Sequence, residues 1–329
     1  MDTLNLAKQT RQKEGLWEVE ISHGGEADLH QHLIDCSKNR DHQRFIPVHK
    51  LGLHHFPAGC NDRDLLAFTQ ALADLTVRVS VSYISPERPK TFPGSKQPYP
   101  LCSHRGRKMT VVGTGRVTRL LRYSKEDGGD CECLCKECQS STDKKRPFAH
   151  VDIETAAHVV YDRIEGENTT CHLFFDSGSQ PDHCPGAVAL VGAINVCSTI
   201  DEDWCKLTCV THDTDLINKL EKMVNRWNGL WESLDTKYNK YVPVIWHKLT
   251  IIVSHPHGCS KQASIGYCVK RDMVDDRYIY TYSTATCPGS SGAPVFVLGV
   301  SRWWLSTDYV HSGVSGWNTK YNCSGYGSR

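Results

Sequence analysis

The stretch Cys287-Pro288-Gly289-Ser290-Ser291-Gly292-Ala293-Pro294-Val295-Phe296 constrains this chain more than any other. Two glycines flank a serine pair, and an apolar run of β type from Pro294 to Val300 follows at once. Glycine reaches backbone angles that residues with a Cβ avoid. A tight turn here can therefore aim the Ser291 hydroxyl outward while the amides of Gly289 and Ser291 converge on one point. Converging amides make an oxyanion hole, worth on the order of 10²–10³ in rate per donor. A plain Gly/Ser turn before a strand carries the same residues. The chemical reading therefore needs a base, and a group that orients the base, elsewhere in the chain.

The rest of the sequence limits what can surround that turn. At 329 residues the chain suits one large domain with an extension, or two domains. Thirty-eight basic against 37 acidic residues leave a formal charge of +1, so nothing in the balance calls for nucleic acid or an anionic membrane as partner. No apolar run approaches membrane-span length, and Met1 to Lys8 is too polar for a signal peptide, so the expected location is the cytoplasm, with the nucleus as an alternative. Sixteen cysteines are many for a reducing compartment, where thiols pack as small hydrophobes or hold metal. Cys36, Cys60, Cys171, Cys197 and Cys268 are scattered and read as core thiols. The histidines of the first 60 residues read as surface or packing side chains.

Taken in order, Asn61 to Asp64 reads as a helix start with a cap, followed by an apolar stripe over Leu65, Leu66, Phe68, Leu72 and Leu75. Thr76 to Tyr83 alternates and is β-branched, which predicts a strand. Pro86, Pro89, Pro93, Pro98 and Pro100 mark residues 85–101 as an extended linker or wrapping arm. From about residue 108 the pattern is β-rich. Met109 to Thr118 reads as two short strands hinged on Gly113 and Gly115, and Trp204 to Thr211 as a further strand. One long helix interrupts from Thr214, with Leu216, Leu220, Met223, Val224, Trp227, Leu230, Trp231 and Leu234 at helical spacing. A β-rich run with one inserted helix argues for antiparallel barrels or a sandwich.

Three motifs then carry a resemblance. Thr155-Ala156-Ala157-His158 resembles the histidine motif of the trypsin/chymotrypsin-like serine peptidases, and Gly289 to Pro294 their serine motif, with Ser290 where an Asp is usual. Asp213-Thr214-Asp215-Leu216-Ile217 matches their aspartate motif, with Asp201, Asp203 and Asp215 as competitors. The order His, Asp, Ser is that of the family. Gly113-Thr114-Gly115 and His255 to Gly266 resemble strand segments of its two barrels, the latter as in intracellular and viral members. The resemblance covers about residues 108–325. It implies a mostly β fold of two six-stranded antiparallel barrels, with residues 1–107 as an N-terminal α/β extension and 108–329 as the peptidase domain.

It also implies Ser291 as nucleophile, His158 as general base and acid, Asp213 as the orienter of His158, and Gly289 with Ser291 as the oxyanion hole. The product is a serine endopeptidase acting on protein or peptide through an acyl-enzyme. Val159 stands where secreted members have a disulfide cysteine, which suits an intracellular protein. Ser290 removes the acid that pairs with a freed N-terminus in zymogen-activated members. Tyr309-Val310-His311-Ser312-Gly313 resembles the pocket strand of glutamyl endopeptidases and picornaviral main proteases, implying that His311 selects Glu or Gln. The alternative is a catalytically silent peptidase-like fold that serves as a protein-interaction module.

Cys131, Cys133, Cys135 and Cys138 crowd into eight residues within a loop-like insertion over 125–146. Four zinc–sulfur bonds of about 2.3 Å are hard to close from so short a run. The expectation is a structural Zn²⁺ with one distant ligand, drawn from His150, His172, His183 or Cys184. A surface redox or disulfide role is the competing reading.

Overall fold

The structure is a computed structural model that describes residues 17–123, 132–140, 147–238, 248–274, 277–300, 309–316, 318 and 320–325. Its strands are β1 (Glu20–Ser22), β2 (Phe45–Pro47), β3 (Thr76–Tyr83), β4 (Lys108–Tyr123), β5 (Phe148–Thr155), β6 (Thr169–Leu173), β7 (Val188–Val191), β8 (Ala193–Thr199) and β9 (Trp204–Thr211). There follow β10 (Leu249–Ser254), β11 (Gln262–Val274), β12 (Arg277–Tyr282), β13 (Val295–Val297), β14 (His311–Val314) and β15 (Asn322–Ser324). They form two antiparallel sheets. One runs β7-β6-β3-β4-β5-β9-β8 with β1 on β4; the other runs β13-β10-β11-β12-β15-β14 with β2 on β11.

Each sheet curls at a long, bulged strand. β4 pairs with β3 up to Arg116 and with β5 from there on, its register shifting between Val117 and Arg119. β11 pairs with β10 up to Tyr267 and with β12 from Cys268, shifting between Cys268 and Lys270. A bulge bends its strand and raises the local twist, so a strand that changes partner there turns a corner of the sheet. The expected mostly β chain with two curled antiparallel units is thus present. The sheets hold eight and seven strands where the resemblance implied six, because β1, β2 and β3 come from the first hundred residues. β4 is one continuous strand, not two hinged on glycines.

The cores follow from alternation. Val77, Val79 and Val81 of β3 point inward against Val111, Val151, Ile153 and Leu207. The second core joins Leu65, Phe68 and Leu72 of α1 (Arg63–Leu75) to Ile251, Val253 and Phe296. Asp62 caps that helix as expected, its carboxylate accepting from the Asp64 amide at 2.9 Å. The long helix α2 (Thr214–Tyr238) lies along both cores. Leu216 and Leu220 are buried in the first, Leu234 in the second, and Trp227 packs against each. Burial at both ends makes it a strut between the two β units. No helix among the described residues is long and apolar enough to cross a membrane.

Candidate active site

His158 follows the end of β5 in a tight turn, where the amides of Val159 and Val160 both donate to the Ala156 carbonyl. Its imidazole is fully buried. Nδ1 donates to Asp203, at 2.8 Å from Oδ2 and 3.0 Å from Oδ1, and the His158 amide donates to the same Oδ1 at 3.0 Å. Ser312 Oγ donates to Asp203 Oδ2 at 2.6 Å. Asp203 sits in the loop that joins β8 to β9, at φ 52°, a left-handed conformation that Asp tolerates better than most side chains. Strand pairing brings that loop to the histidine turn, since β9 lies against β5 from Thr155↔Cys205 onward.

The expected orienter was Asp213, and here the structure corrects the reading. Asp213 Oδ1 accepts from the amides of Asp215 at 2.9 Å and Leu216 at 3.0 Å. That is the work of a helix N-cap, which satisfies donors with no intrahelical partner. An N-cap Asp followed by an apolar third residue reproduces the aspartate motif by coincidence of helix geometry.

Ser291 lies in the turn before β13, and the turn rests directly on the first sheet. The Thr114 amide donates to the Ser291 carbonyl at 2.8 Å, and Thr114 Oγ1 donates to the Gly289 carbonyl at 2.8 Å. Gly292, at φ +87°, has no room for a side chain: a Cβ there would lie 2.2 Å from both Thr114 O and Thr155 Oγ1. Gly289, at φ +90°, is equally confined by His255 O at 2.6 Å. The glycines thus permit both the left-handed turn and its seating between the two units. Among the described residues, neither the Gly289 nor the Ser291 amide has a hydrogen-bond acceptor.

The cleft is filled by the chain's own N-terminal segment. Ser291 Oγ donates to the carbonyl of Glu18 at 2.5 Å. Trp17 bridges to Gly313, and the Glu18 amide donates to Ser312 O at 3.4 Å, so the segment lies antiparallel to β14. Strand addition of this kind is how an extended peptide docks on a sheet edge. The Trp17 ring centroid stands 5.0 Å from that of His158. His158 Nε2 is buried and has no hydrogen-bond partner among the described residues. The Ser291 hydroxyl thus directs its proton to the Glu18 carbonyl, and no hydrogen bond joins it to His158.

The Glu18 side chain enters a polar pocket. His311 Nε2 donates to Oε2 at 2.9 Å, Thr286 Oγ1 donates to Oε2 at 3.2 Å, and Lys38 Nζ pairs with Oε1. Burial raises the Glu18 pKa, but the His311 hydrogen bond and the Lys38 charge outweigh it and bring the carboxyl down to about 2. Burial pulls His311 below the usual imidazole range. On its other side, His311 Nδ1 lies 2.7 Å from Tyr282 Oη, whose single proton also faces the Cys323 carbonyl at 3.1 Å. Lys38, Thr286 and Tyr282 had no motif to announce them; only the fold brings them to one pocket.

Three of the four expected cysteines can be placed: Cys131 lies outside the described residues. The residue brought to the three sulfurs is His212, not His150, His172, His183 or Cys184, and Cys133, Cys135, Cys138 and His212 together could hold a metal ion. Its Nε2 lies 3.4 Å from Cys133 Sγ, 3.5 Å from Cys135 Sγ and 3.4 Å from Cys138 Sγ. Zinc–ligand bonds of 2.0–2.3 Å in a tetrahedron give sulfur–nitrogen separations of about 3.5 Å. His212 Nδ1 donates to Pro147 O at 2.9 Å, which fixes the tautomer with Nε2 facing the sulfurs. Amides of Cys135 and Cys138 donate to Cys133 Sγ and Cys135 Sγ, each at 3.4 Å.

No protein-family model and no curated protein matches the sequence. Among solved structures, the active form of the Rv3671c protease from M. tuberculosis aligns at 13% identity and TM-score 0.39, covering 82% of each chain. Its inactive form aligns at 14% and 0.37, over 82% of this chain and 93% of that one. The HtrA-type protease AlgW, with a tripeptide, aligns at 7% and 0.38, over 79% and 58%.

Proposed function

We propose that this chain is a serine endopeptidase that cleaves after Glu, with Ser291, His158 and Asp203 as its triad. The observation that carries the reading is the seat of Glu18, whose carbonyl meets the Ser291 hydroxyl while its carboxylate meets His311. A peptide substrate in the same register presents its carbonyl carbon to Ser291 Oγ. His158 Nε2 takes the hydroxyl proton as the carbon–oxygen bond forms, and Asp203 stabilises the imidazolium. The amides of Gly289 and Ser291 receive the developing oxyanion. The proton passes from His158 to the leaving amine as the peptide bond breaks. Water then repeats the sequence on the acyl-enzyme and frees Ser291.

Glu preference over Gln follows from Lys38. A cation beside His311 rewards a charged side chain, and a site with built donors rejects analogues that leave them unpaired. A zinc ion held by Cys133, Cys135, Cys138 and His212 serves structure, tying the insertion to the end of β9. No disulfide joins the cysteines of the described residues, which fits the reducing compartment proposed for the chain.

The orphaned His158 Nε2 favours a second reading, a peptidase-like fold whose cleft is permanently blocked by its own segment. Fluorophosphonate labelling separates the two. A peptidase labels at Ser291, more strongly once residues 1–18 are removed, and Ser291→Ala abolishes it. No labelling in the full chain or the trimmed one leaves the binding reading standing. A peptide-library cleavage profile tests the Glu preference.

A further inference from the structure

A second cluster lies beside the nucleophile turn. Cys36, His42, His257 and Cys287 each offer one ligand atom, and these atoms all lie within 4.8 Å of one another. Cys287 Sγ stands 3.5 Å from Cys36 Sγ and 3.5 Å from His42 Nε2, close to the tetrahedral edge lengths of about 3.5–3.8 Å set by zinc–sulfur and zinc–nitrogen bonds. The rings of His42 and His257 meet at 86°, centroids 5.4 Å apart. His257 Nδ1 is hydrogen-bonded to Glu20 Oε2 at 2.6 Å. Its Nε2 is left buried and without a partner among the described residues.

The surroundings match those of a metal centre. A carboxylate on the far nitrogen of a ligating histidine sets its tautomer and raises its basicity. Asn39 donates to both sulfurs, Nδ2 to Cys287 Sγ at 3.2 Å and the amide to Cys36 Sγ at 3.5 Å. Asp41, His42 and His257 hold left-handed φ values of 58°, 48° and 53°. Strained backbone of this sort persists only where something over-determines it.

We propose that Cys36, His42, His257 and Cys287 form a second tetrahedral zinc site that clamps the N-terminal segment to the nucleophile turn. Two thiolates and two imidazoles are a zinc ligand set. Two ligands come from the segment that carries Lys38 to the Glu18 pocket. The third lies in the turn whose His257 amide donates to Pro288 O at 2.6 Å, beside Gly289. The fourth, Cys287, opens the turn itself. The metal thus holds both the pocket cation and the oxyanion amides.

Elemental analysis of the full chain, purified without chelator, tests the assignment. About two zinc equivalents are expected, with one lost in Cys36→Ser/His42→Ala and the other in Cys133→Ser/His212→Ala. A single equivalent that Cys133→Ser/His212→Ala abolishes overturns the proposal, as does a Cys36–Cys287 disulfide in the purified chain. Should Cys36→Ser/His42→Ala fail to fold, two further measurements decide. Cobalt exchanged into Cys133→Ser/His212→Ala should give thiolate-to-cobalt absorption and tetrahedral d–d bands; their absence counts against the site. Glu20→Gln keeps all four ligands and should release zinc to a competing chelator about 10–100-fold more readily. Unchanged retention contradicts it.

Discussion

Replacing Asp203 by Asn distinguishes the triad drawn here from the one the aspartate motif suggests. The carboxylate is buried and accepts from the His158 amide, His158 Nδ1 and Ser312 Oγ at 2.6–3.0 Å. An amide of the same shape keeps the packing. It can turn its NH₂ toward Nδ1, however, which moves the imidazole proton to Nε2, the atom that must be free to accept from Ser291. It also withdraws the charge that stabilises the imidazolium. Together these effects cost a factor on the order of 10⁴ in kcat, or about 5 kcal/mol of barrier. Asp213→Asn changes almost nothing, because Asn caps a helix as well as Asp. The assays are kcat/KM on a Glu-containing peptide and the second-order rate of fluorophosphonate labelling, with thermal unfolding to confirm that both variants fold. Activity in Asp203→Asn above about a tenth of the parent, or a comparable loss in Asp213→Asn, refutes the assignment.

Other consequences are as direct. Glu18→Gln weakens the pocket contacts, so peptide turnover and labelling rise; no change would mean that the arm does not occupy the cleft in solution. Because the Glu18 pKa is lowered from 4.5 to about 2, its stabilising contribution is complete above pH 4.5 and lost as pH falls toward 2. The stability gap between parent and Glu18→Gln, about 3 kcal/mol at most by linkage, should hold above pH 4.5 and close below it in urea titrations. His212→Ala releases one zinc equivalent and lowers the melting temperature, whereas His150→Ala does neither. Arg88→Ala strands Glu165, whose carboxylate Arg88 grips at 2.6 and 2.8 Å with both side chains fully buried. A loss of about 3–5 kcal/mol is expected in denaturant unfolding. Labelling should fall too, since Arg88 also donates to the carbonyls of His158 and Val159 at 3.0 and 3.3 Å.

What could be read from the sequence divides along a physical line. Local signals held: the cap and stripe of Asp62 to Leu75, the alternation of Thr76 to Tyr83, the helix from Thr214 and the strand Trp204 to Thr211 all formed where expected. Each depends on neighbours within a few residues. The turns that hold His158 and Ser291 carry local motifs, so both could be named as candidates from the sequence. Asp203 was only one of four candidates, since its contact with His158 depends on β8–β9 pairing that no short window contains. Nor could a short window place Cys36, which packs against Phe45, Ala285 and Cys287, beside residues more than two hundred positions away such as His257 and Cys287. Nothing in the composition of the proline-rich stretch says that it folds back on itself through a Thr91–Pro98 bridge or that it delivers the buried Arg88 to the carbonyls of His158 and Val159.

Under the proposed peptidase function, the seat of Trp17 and Glu18 determines how the molecule responds to its surroundings. Pocket and occupant share one polypeptide, so their encounter is first-order, and the local concentration of the arm is fixed by its tether at roughly the millimolar level. Dilution leaves the block intact, and a substrate prevails only by abundance, by tighter docking, or by meeting the molecule while the arm is lifted. On that function the resting rate reports the fraction of time the Trp17–Glu18 arm spends detached, which makes anything that grasps or severs the arm an activator.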